Sequence, residues 1–173
     1  MKSAPAARGR DSASVAALAV AVIAAATLAG AWFFQLVLDI VPCPLCLEQR
    51  YAYYLAVPLG LVVAFAAAKN APRGAVLAGL ALLALAVLAN AGLGAYHAGV
   101  EWGFWQGPTD CTGPMLDLSK GSLLDNLDKV KVVPCDKVQW RFLGLSLAGY
   151  NVLISLLMAA IAAWGIAASA KRG

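Results

Sequence analysis

The stretch that decides the fold is Phe142–Ala170, FLGLSLAGYNVLISLLMAAIAAWGIAASA, which runs for 29 residues without a charged side chain. A helix rises about 1.5 Å per residue and the hydrocarbon core of a bilayer is about 30 Å thick, so about 20 apolar residues can cross it. This stretch is therefore long enough to span a membrane as one helix.

Three further stretches also lack charged residues, namely Ser12–Leu38, Tyr51–Ala68 and Gly74–Val100. The shortest reaches spanning length if residues 47–50 form its first turn at the interface. We therefore expect an all-α membrane protein, a four-transmembrane-helix bundle that forms one integral membrane domain over residues 1–173. The expected spans are 13–38, 47–68, 74–97 and 142–169.

The composition excludes several classes of protein. The chain is 62% hydrophobic and only 13% charged, whereas about 25% of the residues in a soluble domain are charged. A water-soluble enzyme and a disordered tail are both excluded on this ground. The net charge of +4 does not indicate a nucleic-acid partner either, because the basic residues lie beside the apolar stretches.

The positions of the basic residues predict the orientation of the bundle. Short segments at the two ends and between the second and third spans carry Lys2, Arg8, Arg10, Lys69, Arg73, Lys171 and Arg172. Short cytoplasmic segments are enriched in Lys and Arg, so we expect both termini in the cytoplasm and the loops 39–46 and 98–141 outside it. The first apolar stretch is longer than the apolar region of about 7–15 residues in a signal peptide, which favours a span over a cleaved leader.

All four cysteines fall in the two predicted outer loops. Cys43 and Cys46 lie in the first loop, and Cys111 and Cys135 in the second. An even number of cysteines in an extracytoplasmic compartment favours disulfides.

The first pair forms a Cys-X-X-Cys motif, Pro42-Cys43-Pro44-Leu45-Cys46, that leads directly into the second span. Cys46 lies at the start of a helix, where free backbone N–H groups stabilise an anion, and Arg50 lies on the same helix face. Both features favour a thiolate, which is the reactive form of cysteine. The motif therefore indicates redox chemistry.

Three other interpretations compete with redox chemistry. Two structural disulfides would also account for four outer cysteines. A structural zinc site usually needs closely spaced ligand pairs, whereas 24 positions separate Cys111 from Cys135, so no metal is expected. A thioredoxin-like domain would need a soluble βαβ setting, which the chain lacks.

His97 is the only histidine and ends the third expected span. It is either an interface residue at a helix end or a hydrogen-bond and proton partner for a lipid-soluble cofactor. A single histidine excludes a bis-histidine haem within one chain.

With these features in place, the chain resembles the DsbB family of bacterial inner-membrane disulfide bond formation proteins. The similarity covers most of the chain and is carried by Phe34-Gln35, by residues 42–50 (PCPLCLEQR), by residues 96–102 (YHAGVEW), by the loop cysteines Cys111 and Cys135, and by residues 140–146 (WRFLGLS). The feature most specific to the family is the placement of the cysteines. The Cys-X-X-Cys motif precedes the second of four spans, and the second cysteine pair lies between the third and fourth.

The resemblance implies a function and a set of site residues. Proteins of this family oxidise a DsbA-like periplasmic thiol oxidase and pass its electrons to a membrane quinone, ubiquinone or menaquinone. The resemblance also implies the disulfides Cys43–Cys46 and Cys111–Cys135. The partner would attack Cys111, and Cys135 would then exchange with Cys43. Cys46 would become the thiolate beside the quinone, with Arg50 stabilising that charge and His97 on the quinone side.

Two rival functions remain at this stage. A vitamin K epoxide reductase-like enzyme does similar chemistry, but there the Cys-X-X-Cys motif lies at the fourth helix and the loop pair comes earlier. A non-enzymatic membrane scaffold with two static disulfides would leave Cys46 unreactive and Arg50 dispensable.

Overall fold

The computed structural model describes residues 4–108 and 133–170, and the side chains of residues 11–108 and 133–170. Cys111 lies outside the described residues. The described chain contains four long helices: α1 (Ala4–Leu36), α2 (Pro44–Ala68), α3 (Arg73–Glu101) and α4 (Leu147–Ala170). All four, α1 from Asp11 onward, are long and apolar enough to cross a membrane. The expected four-helix membrane fold is confirmed.

Each helix packs against two others. α1 and α3 both lie against α2 and α4, so the four helices form a ring. Small residues allow the helices to approach closely. A Cβ atom on Gly60 of α2 would lie 2.8 Å from the carbonyl oxygen of Ala17, and one on Gly165 of α4 would lie 2.6 Å from Cβ of Ala16.

The outside of the bundle is apolar and its inside contains polar groups, the reverse of a soluble protein. Large apolar side chains such as Val22, Leu61 and Leu85 are at least half exposed. Buried polar residues include Gln49, Asn90, His97, Asn151 and Ser155. Lipid is the solvent that suits such a surface, and polar residues inside a bundle usually mark function.

A short hairpin precedes α4. Its strands are β1 (Arg141–Phe142) and β2 (Leu145–Ser146), paired antiparallel. The two turn residues, Leu143 and Gly144, have φ of 48° and 83°, as the two-residue hairpin turns with positive φ require. The hairpin occupies the start of the apolar stretch, which is why the helix begins at Leu147 rather than at the expected position 142.

A tight turn connects α1 to α2. Asp39 has φ of 52°, a left-handed conformation typical of helix ends, and the amide of Ile40 donates to the carbonyl oxygen of Phe34 at 3.0 Å. The turn places the end of α1 beside the start of α2, where the indole Nε1 of Trp32 donates to the hydroxyl of Tyr54 at 3.2 Å.

Candidate functional site

The site is built around the first turn of α2. Pro44 is its first residue, a position that suits proline because no amide hydrogen is needed there. Cys43 caps the helix, and its sulfur accepts a hydrogen bond from the backbone amide of Cys46 at 3.2 Å. Both cysteines are free thiols in this structure, so the geometry given below is that of the dithiol form. The Cys43–Cys46 disulfide is the other oxidation state of the pair and stays a prediction.

The thiol whose pKa is lowered is that of the capping residue Cys43, whereas sequence reasoning selected Cys46. The pKa of the Cys43 thiol is lowered to about 5, first by the hydrogen bond from the side chain of Cys46. Burial opposes this shift, while the hydrogen bond and charge of His97 and the backbone amide of Cys46 add to it. The hydrogen bond from the Cys46 side chain is the main cause, and the free N–H group at the helix terminus adds a smaller part. The structure therefore favours a thiolate at Cys43.

His97 joins the cysteine pair from α3. Its Nε2 lies 3.6 Å from Sγ of Cys43, and its Nδ1 lies 2.8 Å from the amide nitrogen of Gln49. The carboxylate of Glu101 is 4.0 Å from Nε2, one turn further along α3, and accepts a hydrogen bond from the hydroxyl of Ser146. His97 is only 3% exposed, so the structure brings it into the site and not to the bundle surface.

Arg50 lies one turn beyond Cys46 and is buried. Its Nη1 donates to the side-chain oxygen of Gln35 at 2.7 Å, and its guanidinium lies 5.4 Å from the ring centre of Trp32. Its Nε has no hydrogen-bond partner within the described part of the chain. A buried donor without a partner is costly, and Arg50 also lines the cavity described next.

A cavity of about 380 Å³ opens beside these residues. Such a volume suits a small apolar ligand held by a few polar groups. Its polar wall includes Cys46, Gln49, Arg50, Tyr53, His97 and Asn151, and its aromatic wall includes Phe34, Trp140, Phe142 and Tyr150. Because Arg50 and a few other polar residues line a largely apolar cavity, the residues fit a quinone, which combines a flat apolar ring with carbonyl oxygens.

The aromatic wall was absent from the sequence-based site. Trp140 contacts Phe34 edge-to-face with ring centres 5.0 Å apart, and stacks on Phe142. Trp140, Gln35 and Gln49 all fall within the motifs that carry the resemblance, yet no role followed from their sequence positions. Asn151 had one sequence signal, a polar residue inside an apolar span.

Cys135 lies close to the cysteine pair of α2. It is disulfide-bonded, 1% exposed, and belongs to a buried apolar cluster with Cys43, Leu45 and Val100. His97 also interacts with its backbone. The structure thus brings together five of the predicted site residues, Cys43, Cys46, Arg50, His97 and Cys135, whereas the sixth, Cys111, is not described.

The ligand atoms of Cys43, Cys46 and His97 lie within 4.8 Å of one another. Thiolate and imidazole ligands of this kind can hold zinc, whereas no metal is expected from the sequence.

Comparison with known proteins gives consistent matches. The family model for disulfide bond formation protein DsbB matches residues 13–165. A disulfide bond formation protein B from Azoarcus sp. is 36% identical over 85% of this chain and 88% of its own length. A protein of the same name from Aromatoleum aromaticum is 32% identical over 90% and 92%, and one from Marinobacter nauticus is 33% identical over 80% and 83%.

Proposed function

Because the chain belongs to the DsbB family of disulfide bond formation proteins, we propose that it oxidises a reduced DsbA-like periplasmic thiol oxidase and delivers the electrons to a membrane quinone. Family membership itself establishes a multi-pass membrane protein with a disulfide oxidoreductase role. The observation that supports the finer proposal is that Cys46 and Arg50 lie in the same wall of a largely apolar cavity.

The proposed setting is the bacterial inner membrane, with both termini in the cytoplasm and the cysteines on the periplasmic side. Cys43, Cys46 and Cys135 lie together at one end of the bundle, as this arrangement requires. Lys69 follows α2 and Arg73 begins α3 at the other end, where basic residues favour the cytoplasm.

The first step is exchange with the partner. A thiolate of the partner attacks Sγ of Cys111 in the Cys111–Cys135 disulfide, and Cys135 leaves as a thiolate. The partner's second thiolate then attacks the sulfur of the partner's first cysteine in the mixed disulfide. This releases Cys111 as a thiolate and leaves the partner oxidised. One S–S bond forms for each that breaks, and two electrons enter the loop pair.

The second step passes those electrons to the pair of α2. The Cys135 thiolate attacks Sγ of Cys43 in the Cys43–Cys46 disulfide, and Cys46 leaves as a thiolate. Cys111 then attacks the Cys43–Cys135 bond, which restores the loop disulfide and leaves both cysteines of α2 reduced. The packing of Cys135 in the same buried cluster as Cys43 supports this pairing of attacker and target.

Quinone, when bound, supplies the acceptor for two electrons and two protons. Cys46 lines its cavity, whereas Cys43 is held at the helix cap, which supports Cys46 as the cysteine that faces the acceptor. The guanidinium of Arg50 stabilises negative charge there. His97, which also lines the cavity, holds a proton between the cysteine pair and this space.

A mixed-disulfide trap tests the proposal. A reduced DsbA-like protein whose second active-site cysteine is replaced by serine cannot complete its own disulfide, so it stays bound to the cysteine that it attacks. We expect an adduct at Cys111 by peptide mapping and none with a Cys111→Ser variant. An adduct at Cys43 or Cys46, or none with the unaltered protein, would contradict the proposed order.

A further inference from the structure

A row of hydrogen-bonded amides crosses the interior of the bundle and ends on His97. Nδ2 of Asn151 on α4 donates to Oε1 of Gln49 on α2 at 2.6 Å, and Nε2 of Gln49 faces Nδ1 of His97 on α3 at 2.8 Å. All three side chains are at most 8% exposed. Three helices therefore contribute to the position of one imidazole.

A backbone carbonyl determines which group donates and which accepts along this row. The Gln49 atom that faces His97 also lies 3.2 Å from the carbonyl oxygen of Leu45. A carbonyl only accepts hydrogen bonds, so an amide oxygen at that place would repel it, and the atom must be the NH₂ group. Its second hydrogen then points at Nδ1 of His97. A ring nitrogen that accepts carries no proton, so the neutral ring carries its proton on Nε2.

The contacts of Asn151, at the end of the row away from His97, give the same order of donors and acceptors. Oδ1 of Asn151 accepts hydrogen bonds from the hydroxyl of Tyr53 and, at 3.2 Å, from the amide of Asn90. The amide of Asn90 also donates to the hydroxyl of Ser155 at 3.0 Å. Because the oxygen of Asn151 already faces two donors, its NH₂ group is directed at Gln49. Every bond in the row then pairs a donor with an acceptor.

We propose that Gln49 and Asn151 are positioning residues that hold His97 with its proton on Nε2, the ring nitrogen that faces the sulfur of Cys43 and the carboxylate of Glu101. Nε2 is the ring atom that lies 3.6 Å from that sulfur, so its N–H stabilises a Cys43 thiolate at the start of the exchange. The same proton makes Nε2 a poor metal ligand, because a coordinating nitrogen must be unprotonated. The catalytic meaning of this arrangement rests on the proposed function, whereas the tautomer itself does not.

The single histidine of the chain makes the tautomer directly measurable. The reduced protein, labelled with ¹⁵N-histidine and purified with a tag free of histidine, gives one pair of ring nitrogen signals at pH 8. We expect an unprotonated, hydrogen-bonded Nδ1 and a protonated Nε2. A proton on Nδ1 would overturn the proposal, and this result does not depend on activity.

Two matched variants test the role of Gln49. Gln49→Glu keeps the shape but removes the N–H donor, and imidazole is the stronger base, so we expect a proton on Nδ1. Gln35→Glu makes the same substitution on the residue that contacts Arg50, and we expect the His97 signals of the unaltered protein. If Gln49→Glu leaves Nδ1 unprotonated, or if both variants change the ring equally, Gln49 does not set the tautomer.

A kinetic measurement separates positioning from a purely structural role. In Gln49→Met, which keeps the side-chain length, we expect turnover to fall about tenfold, roughly the value of one buried hydrogen bond, and KM for quinone to change less than turnover. Unchanged turnover together with the expected NMR result in the unaltered protein would show that the tautomer is held but not used. That outcome would overturn the positioning role and leave the proposed function standing.

Discussion

Sγ of Cys43 lies 3.6 Å from Nε2 of His97, although 54 positions separate the two residues in the chain. Cys43 caps α2 and His97 lies one turn before the end of α3, so the contact depends on how these two helices pack. The distance is typical of a hydrogen bond to sulfur, and it places a proton-bearing ring beside a redox-active thiol.

The reactivity of Cys43 toward alkylating reagents is expected to persist into acid. With a pKa of about 5, this thiol is protonated below pH 5 and a thiolate above it. Its alkylation rate is therefore expected to rise through pH 5 and to be level from about pH 6. The measurement is peptide mapping of the reduced protein after brief alkylation across pH 4–9. A midpoint near the ordinary cysteine value of about 8.5 would contradict the low pKa.

The side-chain causes of this low pKa can be tested by substitution. The hydrogen bond from the side chain of Cys46 is the largest single cause, and His97 adds two smaller ones, a hydrogen bond and its charge. We therefore expect both Cys46→Ala and His97→Ala to raise the midpoint of the alkylation profile. An unchanged midpoint in either variant would remove that residue as a cause of the low pKa.

Replacement of Arg50 is expected to weaken quinone binding without unfolding the protein. Arg50→Ala removes a guanidinium and its positive charge from a residue that lines the cavity. A hydrogen bond to a charged group is worth about 1.5–3 kcal/mol, so KM for quinone is expected to rise roughly ten- to a hundredfold. Arg73→Ala is the matched control, because Arg73 contacts the carbonyl oxygen of Ala170 outside the cavity. An unchanged KM in Arg50→Ala would remove Arg50 from the site.

The close contact between α1 and α2 is expected to tolerate no added side chain at Gly60. A Cβ atom there would lie 2.9 Å from Cβ of Ala21, whereas one at Gly92 would meet nothing within 4 Å. Overpacking typically costs about 1–3 kcal/mol. We expect Gly60→Val to lower the midpoint of thermal unfolding in detergent well below that of Gly92→Val. Equal midpoints would show that the two helices are less tightly packed.

The number of helices followed from the sequence because charged residues cannot lie in the hydrocarbon core at low cost. The absence of charge from four stretches therefore predicts four spanning helices. The hairpin before α4 could not be predicted in this way, since Phe142 and Leu145 are as apolar as the helix that follows. Hydropathy does not distinguish a short apolar hairpin from the first turn of a span.

The site was only partly predictable for a different reason. Cys46 and Arg50 are one helical turn apart, so their proximity follows from local geometry. The contact of His97 with Cys43 and the row from Asn151 through Gln49 depend on the rotation of three helices about their own axes. One sequence does not specify that rotation, because weakly amphipathic, apolar helices have no single face that must avoid lipid.

The most direct test of the account is whether oxidation of the thiol partner needs both quinone and Cys46. Protein reconstituted in lipid is mixed with a reduced DsbA-like oxidase, and formation of the partner disulfide is followed with and without added quinone. We expect multiple turnovers only when quinone is present and none with Cys46→Ser, which still carries Cys43, Cys111 and Cys135. Equal turnover by Cys46→Ser, or turnover by the unaltered protein without quinone and oxygen, would contradict the proposed path of electrons.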